Sequence, residues 1–205
     1  EELLRRACEH NVDVLALTDH DSVEGIAEAR ALVEKEQLPL QFINGVEISC
    51  RWESFEIHIV GLNFDPDNEH LKGLLAQQQQ RRYDRFAAIL EKLEKRGVML
   101  SAEECQVDGM PTRKHIADTL VEKGIVSHPQ KAFDHYIGKG NSAYVTPQWC
   151  DIPEAIEAIH KAGGQAVLAH PHAYKMSNKW LRKLIIEFKD AGGDAMEVAQ
   201  PQQAP

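Results

Sequence analysis

The sequence has few cysteines and no cysteine pair. Cys8, Cys50, Cys105 and Cys150 are widely scattered, with no CxxC spacing. That excludes a disulfide frame or a zinc knuckle and predicts reduced thiols. No apolar run approaches the roughly 18–20 residues of a membrane span, and no secretory leader pattern opens the sequence. Positive charge is scarce: 23 Lys and Arg stand against 32 Asp and Glu, a net charge of −9. So acidic a surface argues against wholesale binding of a nucleic-acid backbone, which needs a basic face. It leaves room for a small phosphorylated substrate, because local positive charge or a metal can dominate one pocket. There is no internal repeat and no low-complexity tract; Gln77–Gln80 falls inside a helical pattern and reads as a solvated face. These absences predict a cytoplasmic protein with no membrane partner.

What is present is enough for a core. The chain has 205 residues, 43% of them hydrophobic, which suits one ordinary domain with an insertion. The first part alternates helix and strand. A helical pattern covers residues 1–10, and Asp13–Thr18 is almost continuously apolar, as suits a strand covered on both faces. Residues 22–36 have helical spacing, with Asp21 or Ser22 as N-cap. Leu40–Ile43, Gly45–Ser49 and Glu56–Leu62 read as short strands. Residues 68–96 form one long helix with an apolar stripe at Leu71, Leu74, Leu75, Phe86, Ile89, Leu90 and Leu93, stopped by Gly97. Further helical patterns follow at 112–123 and 129–137, and no strand is evident between 65 and 142. The α/β rhythm resumes with a helix at 152–162 capped by Asp151, a strand at 165–169, a helix at 177–191 and a strand at 194–198. The pattern predicts an α/β fold with a parallel sheet or barrel and helices outside, divided into 1–64, a helical insertion at 65–145, and 146–205. The chain opens at Glu1 inside a helical pattern and stops just beyond a strand, so it is expected to be a fragment of a longer protein.

The strand ends carry the chemistry. Val14–Leu17 run straight into Thr18, Asp19, His20 and Asp21, and Val167–Ala169 run into His170-Pro171-His172. In α/β sheets and barrels, sites collect at the carboxyl ends of strands. Asp19, His20, Glu47, His58 and His170 share that property or lie on a strand beside it. Imidazole and carboxylate together suit zinc, manganese or iron, and a Glu flanked by His ligands can bridge two ions that clamp a phosphoester. Each residue taken alone has a plainer reading. A strand-end His is more often a hydrogen-bonded histidine than a ligand, Glu47 can be a turn carboxylate, and Asp19 can be a cap for the next helix. The coincidence of position is what argues for a site.

The stretches LTDHDSVEG, INGVEIS, EIHIVGLN and AVLAHPHAY, in that order, resemble the PHP family, the polymerase and histidinol phosphatase group of metal-dependent phosphoesterases. The later stretches YVTPQWC and GDAMEVAQ resemble its branch acting on nucleoside 3′,5′-bisphosphates. The resemblance implies a distorted (β/α)7 barrel, incomplete here, with a helical insertion over the active site. It implies two or three divalent ions, manganese first with zinc or iron as alternatives. By resemblance His20, Glu47, His58 and His170 are metal ligands, Glu47 bridging two ions, and Asp19 orients a ligand from behind. The family's opening HxH motif would lie upstream of Glu1, and its closing DxH motif downstream of Pro205.

In MPTRKHIADTL the resemblance marks a segment that faces the site. Arg113 is then a candidate phosphate clamp, since a guanidinium fork matches phosphate geometry, with His115 assisting; the same residues also read as a solvated first helical turn. Tyr174 is a candidate for stacking on a base or donating to phosphate, or for covering the barrel rim. The expected activity is removal of the 3′-phosphate from 3′,5′-bisphosphate nucleotides, with 5′-to-3′ trimming of short RNA, and no stable protein partner. The rivals are a histidinol-phosphatase-like monoesterase, a non-catalytic PHP module, and a nonspecific nucleic-acid-binding domain.

Overall fold

The computed structural model describes residues 1–107 and 109–198; Ala199 and Gln200, which close the GDAMEVAQ stretch, lie outside the described residues. The elements follow in the order α1 (Glu2–Glu9), β1 (Val14–Leu17), α2 (Glu24–Glu36), β2 (Gln41–Trp52), β3 (Phe55–Leu62), α3 (Glu69–Glu94), α4 (Arg113–Glu122), α5 (Pro129–Ala132), α6 (Ile152–Lys161), β4 (Gln165–Leu168), α7 (Asn178–Asp190) and β5 (Ala195–Met196). The chain divides into two compact units, Glu1–Ala76 with the described residues from Trp149 on, and Gln77–Gln148.

The first unit carries an open five-stranded sheet in the order β1-β2-β3-β4-β5. The α/β class is as the alternating pattern predicts, but the sheet mixes directions. β1 pairs β2 in parallel and β4 pairs β5 in parallel, whereas β2–β3 and β3–β4 are antiparallel. The reason lies in the connection. Only Glu53 and Ser54 separate β2 from β3, and a parallel crossover needs a dozen residues or more. Glu53 takes a positive φ of 52° to close this hairpin.

β2 is one continuous strand, where Gly45 had suggested a break between two. A Cβ at Gly45 would lie 2.6 Å from the Leu17 carbonyl oxygen. Glycine there lets β1 and β2 approach closely, which a side chain would forbid.

Alternation then sorts the two faces of the sheet. Ile48, Cys50 and Trp52 of β2, with Ile57 and Ile59 of β3, turn to a core shared with Ile156 and Ile159 of α6 and Leu184 and Phe188 of α7. Truncating one of the fully buried isoleucines to alanine is expected to cost about 2–5 kcal/mol. The other face presents Glu47, Ser49, His58 and Val60. Asp151 caps α6 through its Oδ1, which accepts the Glu154 N–H at 2.9 Å.

The second unit is helical, with no strand among its described residues. Phe86, Ile89 and Leu93 from α3 pack with Ile116, Ala117 and Leu120 from α4, and with Ala132 and Ile137. The helix expected over 129–137 is α only to Ala132, and Phe133–Ile137 then form a π turn. Gly97, at φ +79°, ends the α3 region as its sequence position suggests.

None of the four cysteines forms a disulfide. The sulfurs of the buried Cys50 and Cys150 lie 3.7 Å apart. Burial pushes the Cys50 thiol up, which makes it an inert core residue. Among the described residues no helix is long and apolar enough to cross a membrane.

Candidate metal centre

Beyond β1 the chain continues alongside β2 for a few residues. Glu47 N–H donates to the Asp19 carbonyl at 3.1 Å, and Asp21 N–H donates to the Glu47 carbonyl at 3.0 Å. This parallel bridge sets His20 beside Glu47. On β3, His58 is registered opposite Ser49, and Val60 opposite Glu47. His58 and Glu47 are thus diagonal neighbours on one face, within side-chain reach. β4 delivers His170 from the third side, since Ala169 N–H donates to the His58 carbonyl at 3.1 Å.

Four side chains converge. Glu47 Oε1 lies 2.9 Å from His170 Nε2 and 3.1 Å from His58 Nδ1, and Glu47 Oε2 lies 3.5 Å from His20 Nδ1. His58 Nδ1 and His170 Nε2 are 3.0 Å apart. His20, Glu47 and His58 each offer a ligand atom within 4.8 Å of the others. The Glu47 side chain is 17% exposed, so its charge is compensated by neighbours more than by water. Burial opposes its ionisation, but hydrogen bonds from His170 and His58 and the charge of His20 prevail and hold its carboxyl well below the usual carboxylate range. The hydrogen bond to Glu47 pushes His170 up, against the opposing effect of burial.

His170 sits in the left-handed region, at φ 31°. A non-glycine residue there carries about 1–3 kcal/mol of strain and must be held. Its N–H donates to Glu197 Oε2 at 2.7 Å, and its carbonyl accepts the Ala173 N–H at 2.9 Å. Tyr174 secures the same corner. Its hydroxyl accepts the His58 N–H at 2.8 Å and donates to the Ala169 carbonyl at 3.0 Å, while its ring meets the His170 ring edge-on at 5.3 Å. Burial raises the Tyr174 phenol above its ordinary range, so it stays protonated and can keep donating.

Asp21 is the main residue that sequence reasoning misjudged. It is fully buried, and its Oδ1 accepts the Ser49 N–H at 2.8 Å. It ties the turn after His20 to the strand of Glu47 instead of capping α2. The cap position is Val23, with no side-chain cap of its own, and Ser22, the other expected cap, accepts the Glu24 N–H on its Oγ at 3.4 Å. Glu197 was not singled out either; the available signal was an acid at the end of an apolar strand, as at Glu47.

The other expected residues stand elsewhere. The Asp19 side chain is exposed; a Cβ on Gly25 would lie 3.8 Å from its Oδ2, so the carboxylate leans toward α2. Arg113 and His115 belong to the helical unit. Arg113 lies over the Phe133 ring, 5.7 Å from its centroid. His115 Nδ1 accepts the Thr112 N–H at 3.1 Å and completes a capping box at the start of α4, a part usually played by Glu or Gln.

No protein-family model matches the chain. Against the 5′-3′ exoribonuclease Rnm of Escherichia coli it is 48% identical over 208 aligned residues, spanning 100% of this chain and 71% of that protein. This chain belongs to the PHP family. A second member, the 3′,5′-nucleoside bisphosphate phosphatase of Chromobacterium violaceum, is 37% identical over 97% of this chain and 70% of its own length. A Bifidobacterium adolescentis structure described as a metal-dependent phosphoesterase superposes with a TM-score of 0.81, at 27% identity, over 98% of this chain and 73% of that one.

The donor set of this PHP chain fits a divalent metal. Three imidazoles and one carboxylate, all lone-pair donors, point at one another on a half-buried face, and His170 Nδ1 is buried without a hydrogen-bond partner. Such a cluster needs protons or a cation to balance it.

Proposed function

We propose that this chain carries the metal centre of a phosphoesterase that removes the 3′-phosphate from nucleoside 3′,5′-bisphosphates and releases nucleotides from the 5′ end of short RNA. The convergence of His170 and His58 on one oxygen of Glu47, with His20 at the other, carries the reading. The relatives named for exoribonuclease and bisphosphate phosphatase activity support it.

The two activities are one reaction. In both, water attacks the phosphorus esterified to O3′ of a nucleotide that bears a 5′-phosphate. The P–O3′ bond breaks, O3′ leaves as an alcohol after taking a proton, and the phosphate departs either free or on the next nucleotide. Divalent ions, manganese foremost and zinc or iron as alternatives, supply Lewis-acid stabilisation of the phosphoryl oxygens and an acidified water.

The chain's own residues do the rest. Glu47 and the imidazoles of His20, His58 and His170 would hold the ions, with the Glu47 carboxylate, held below its usual carboxylate range by its histidine neighbours, as the shared acid of the set. Asp21 and Tyr174 fix the backbone from which His20, Glu47 and His58 project. Asp19 supports the His20 turn through its carbonyl. Arg113 offers a guanidinium fork to phosphate, His115 assists it through the ring nitrogen left over from the cap, and the Tyr174 ring edges the place for a base.

The test is manganese-dependent phosphate release from adenosine 3′,5′-bisphosphate by the full-length protein, with Glu47→Ala as control. Release that needs the metal and is lost in the variant is the expected result. Release from simple monoesters such as histidinol phosphate in its place would move the reading to the rival monoesterase. No release from folded, metal-loaded protein would leave a non-catalytic PHP module.

A further inference from the structure

One stretch of this acidic chain breaks its charge pattern. No Asp or Glu occurs from Ala158 to Ile186, in a protein with 32 of them. The second half of that stretch leads directly away from the candidate metal centre. It starts at His170, passes Tyr174 against the His170 ring, and continues through Lys175 into α7. Lys175, Lys179 and Arg182 are all exposed. Lys179 and Arg182 are three apart on α7, away from the buried Leu184 and Phe188, so they share one outward face.

These cations differ from their neighbour Lys183. Lys183 is engaged by Glu53 at 2.5 Å and by Glu187 at 3.5 Å, and its ammonium lies over the rings of Trp52 and Trp180. It staples α7 to the β2–β3 hairpin. Lys175, Lys179 and Arg182 make no ion pair among the described residues. Trp180 belongs to the Lys183 staple, its ring resting on Trp52 at 5.7 Å and Phe55 at 6.1 Å. Three exposed cations without an ion pair among the described residues, on an acid-free stretch that runs out from the candidate metal centre, supply the backbone-tracking charge of a single-strand binding site.

We infer that Lys175, Lys179 and Arg182 form a track for the RNA chain downstream of the scissile phosphate, engaged by oligonucleotides and untouched by mononucleotide bisphosphates. The inference rests on the proposed phosphoesterase reading. It gives that reading a physical basis for telling its two substrate classes apart, since everything up to the phosphate on O3′ is common to both. The rest of the surface, with its net negative charge, offers a polyanion little competition for this track.

The experiment compares the full-length protein with the charge-reversal variant Lys175→Glu/Lys179→Glu/Arg182→Glu. The control is Lys189→Glu, an exposed cation on the same helix beyond the acid-free stretch. Exposed substitutions of this kind rarely disturb a fold, and mononucleotide turnover reports on folding directly. Kinetics are measured on adenosine 3′,5′-bisphosphate and on 5′-phosphorylated oligoadenylates of increasing length.

The triple variant is expected to keep its kcat/KM on the bisphosphate within about twofold and to lose ~10–100-fold on a pentamer, through KM. The slope of log(kcat/KM) against log salt should flatten by about 2 for the pentamer, since each lost phosphate contact removes roughly 0.7. Equal losses on both substrates, unchanged pentamer kinetics, or the same loss in the Lys189 variant would each overturn the track. Anisotropy of a labelled pentamer bound to metal-free protein reads the track without catalysis. Tight binding by the parent, lost in the triple variant, supports it even where no hydrolysis occurs, and equal binding by both sinks it.

Discussion

The two compact units differ in whether their polar side chains pair singly or converge on one point. In the helical unit, longer links such as Lys92 to Tyr144 and Lys123 to Glu104 run from a cation to a carbonyl or a single acid, and four polar pairs sit one turn apart, Gln80 with Asp84, Lys95 with Glu91, Lys114 with Asp118 and Gln130 with Asp134. Such pairs are worth a few tenths of a kcal/mol each and leave little unspent. In the sheet unit, Glu47 meets His170 across 123 positions of sequence, and His58 meets His170 across 112. No local rule brings those groups together. Strand register and a strained corner do, and the result is a concentration of lone pairs that helical neighbours never make. Pairwise contacts hold a scaffold together, whereas long-range convergence brings three imidazoles and a carboxylate to one point of the sheet.

The contrast breaks most sharply at Glu47. Glu47→Ala should abolish stoichiometric manganese binding and lower turnover by about 10^3-fold or more, beyond the usual cost of removing a single electrostatic contact. Isothermal titration with manganese alongside steady-state kinetics checks both. A variant that still binds the ion and turns over near the parental rate would mean the cluster is structural. Asp21 tests the layer beneath. Asp21→Asn keeps the shape but weakens the charge-assisted bond to the Ser49 N–H, so it should lose about 1–3 kcal/mol of stability and about 10–100-fold in metal affinity. A stability loss with unchanged metal affinity would confine Asp21 to folding.

Tyr174→Phe removes only a hydroxyl, but one that joins two strands. It should cost about 1–2 kcal/mol in chemical denaturation, with a smaller effect on kcat than on stability. A KM increase on the bisphosphate without any stability loss would show that the hydroxyl serves the substrate and not the corner.

How much of this was legible depended on the range of the interaction. His20 and His170 announced themselves because an apolar strand ending in imidazole is conspicuous within a few residues. Glu47 could be placed by its GVE stretch, and His58 only through the family resemblance, because period-two alternation alone sets it among ordinary strand positions. Asp21 was misread because an acid just before a helical pattern has a ready local role as a cap, and nothing in its neighbourhood points to Ser49. The hairpin was blurred for a similar reason. Gly45 looked like a break in β2, and the close approach of the Leu17 carbonyl that demands glycine there belongs to another strand.

His115 is where the two uses of a polar group meet, and it gives the smallest effect. Its Nδ1 is committed to the Thr112 N–H, which is local satisfaction of the helical kind, while the proposed function asks its remaining nitrogen to help with phosphate. Glutamine at this third helical position can also complete a capping box. His115→Ala should therefore lose about 1 kcal/mol of stability, and His115→Gln should recover nearly all of it. If the ring also assists the substrate, the glutamine variant will be as stable as the parent yet show a several-fold higher KM for the bisphosphate. If glutamine restores KM together with stability, His115 is a cap alone.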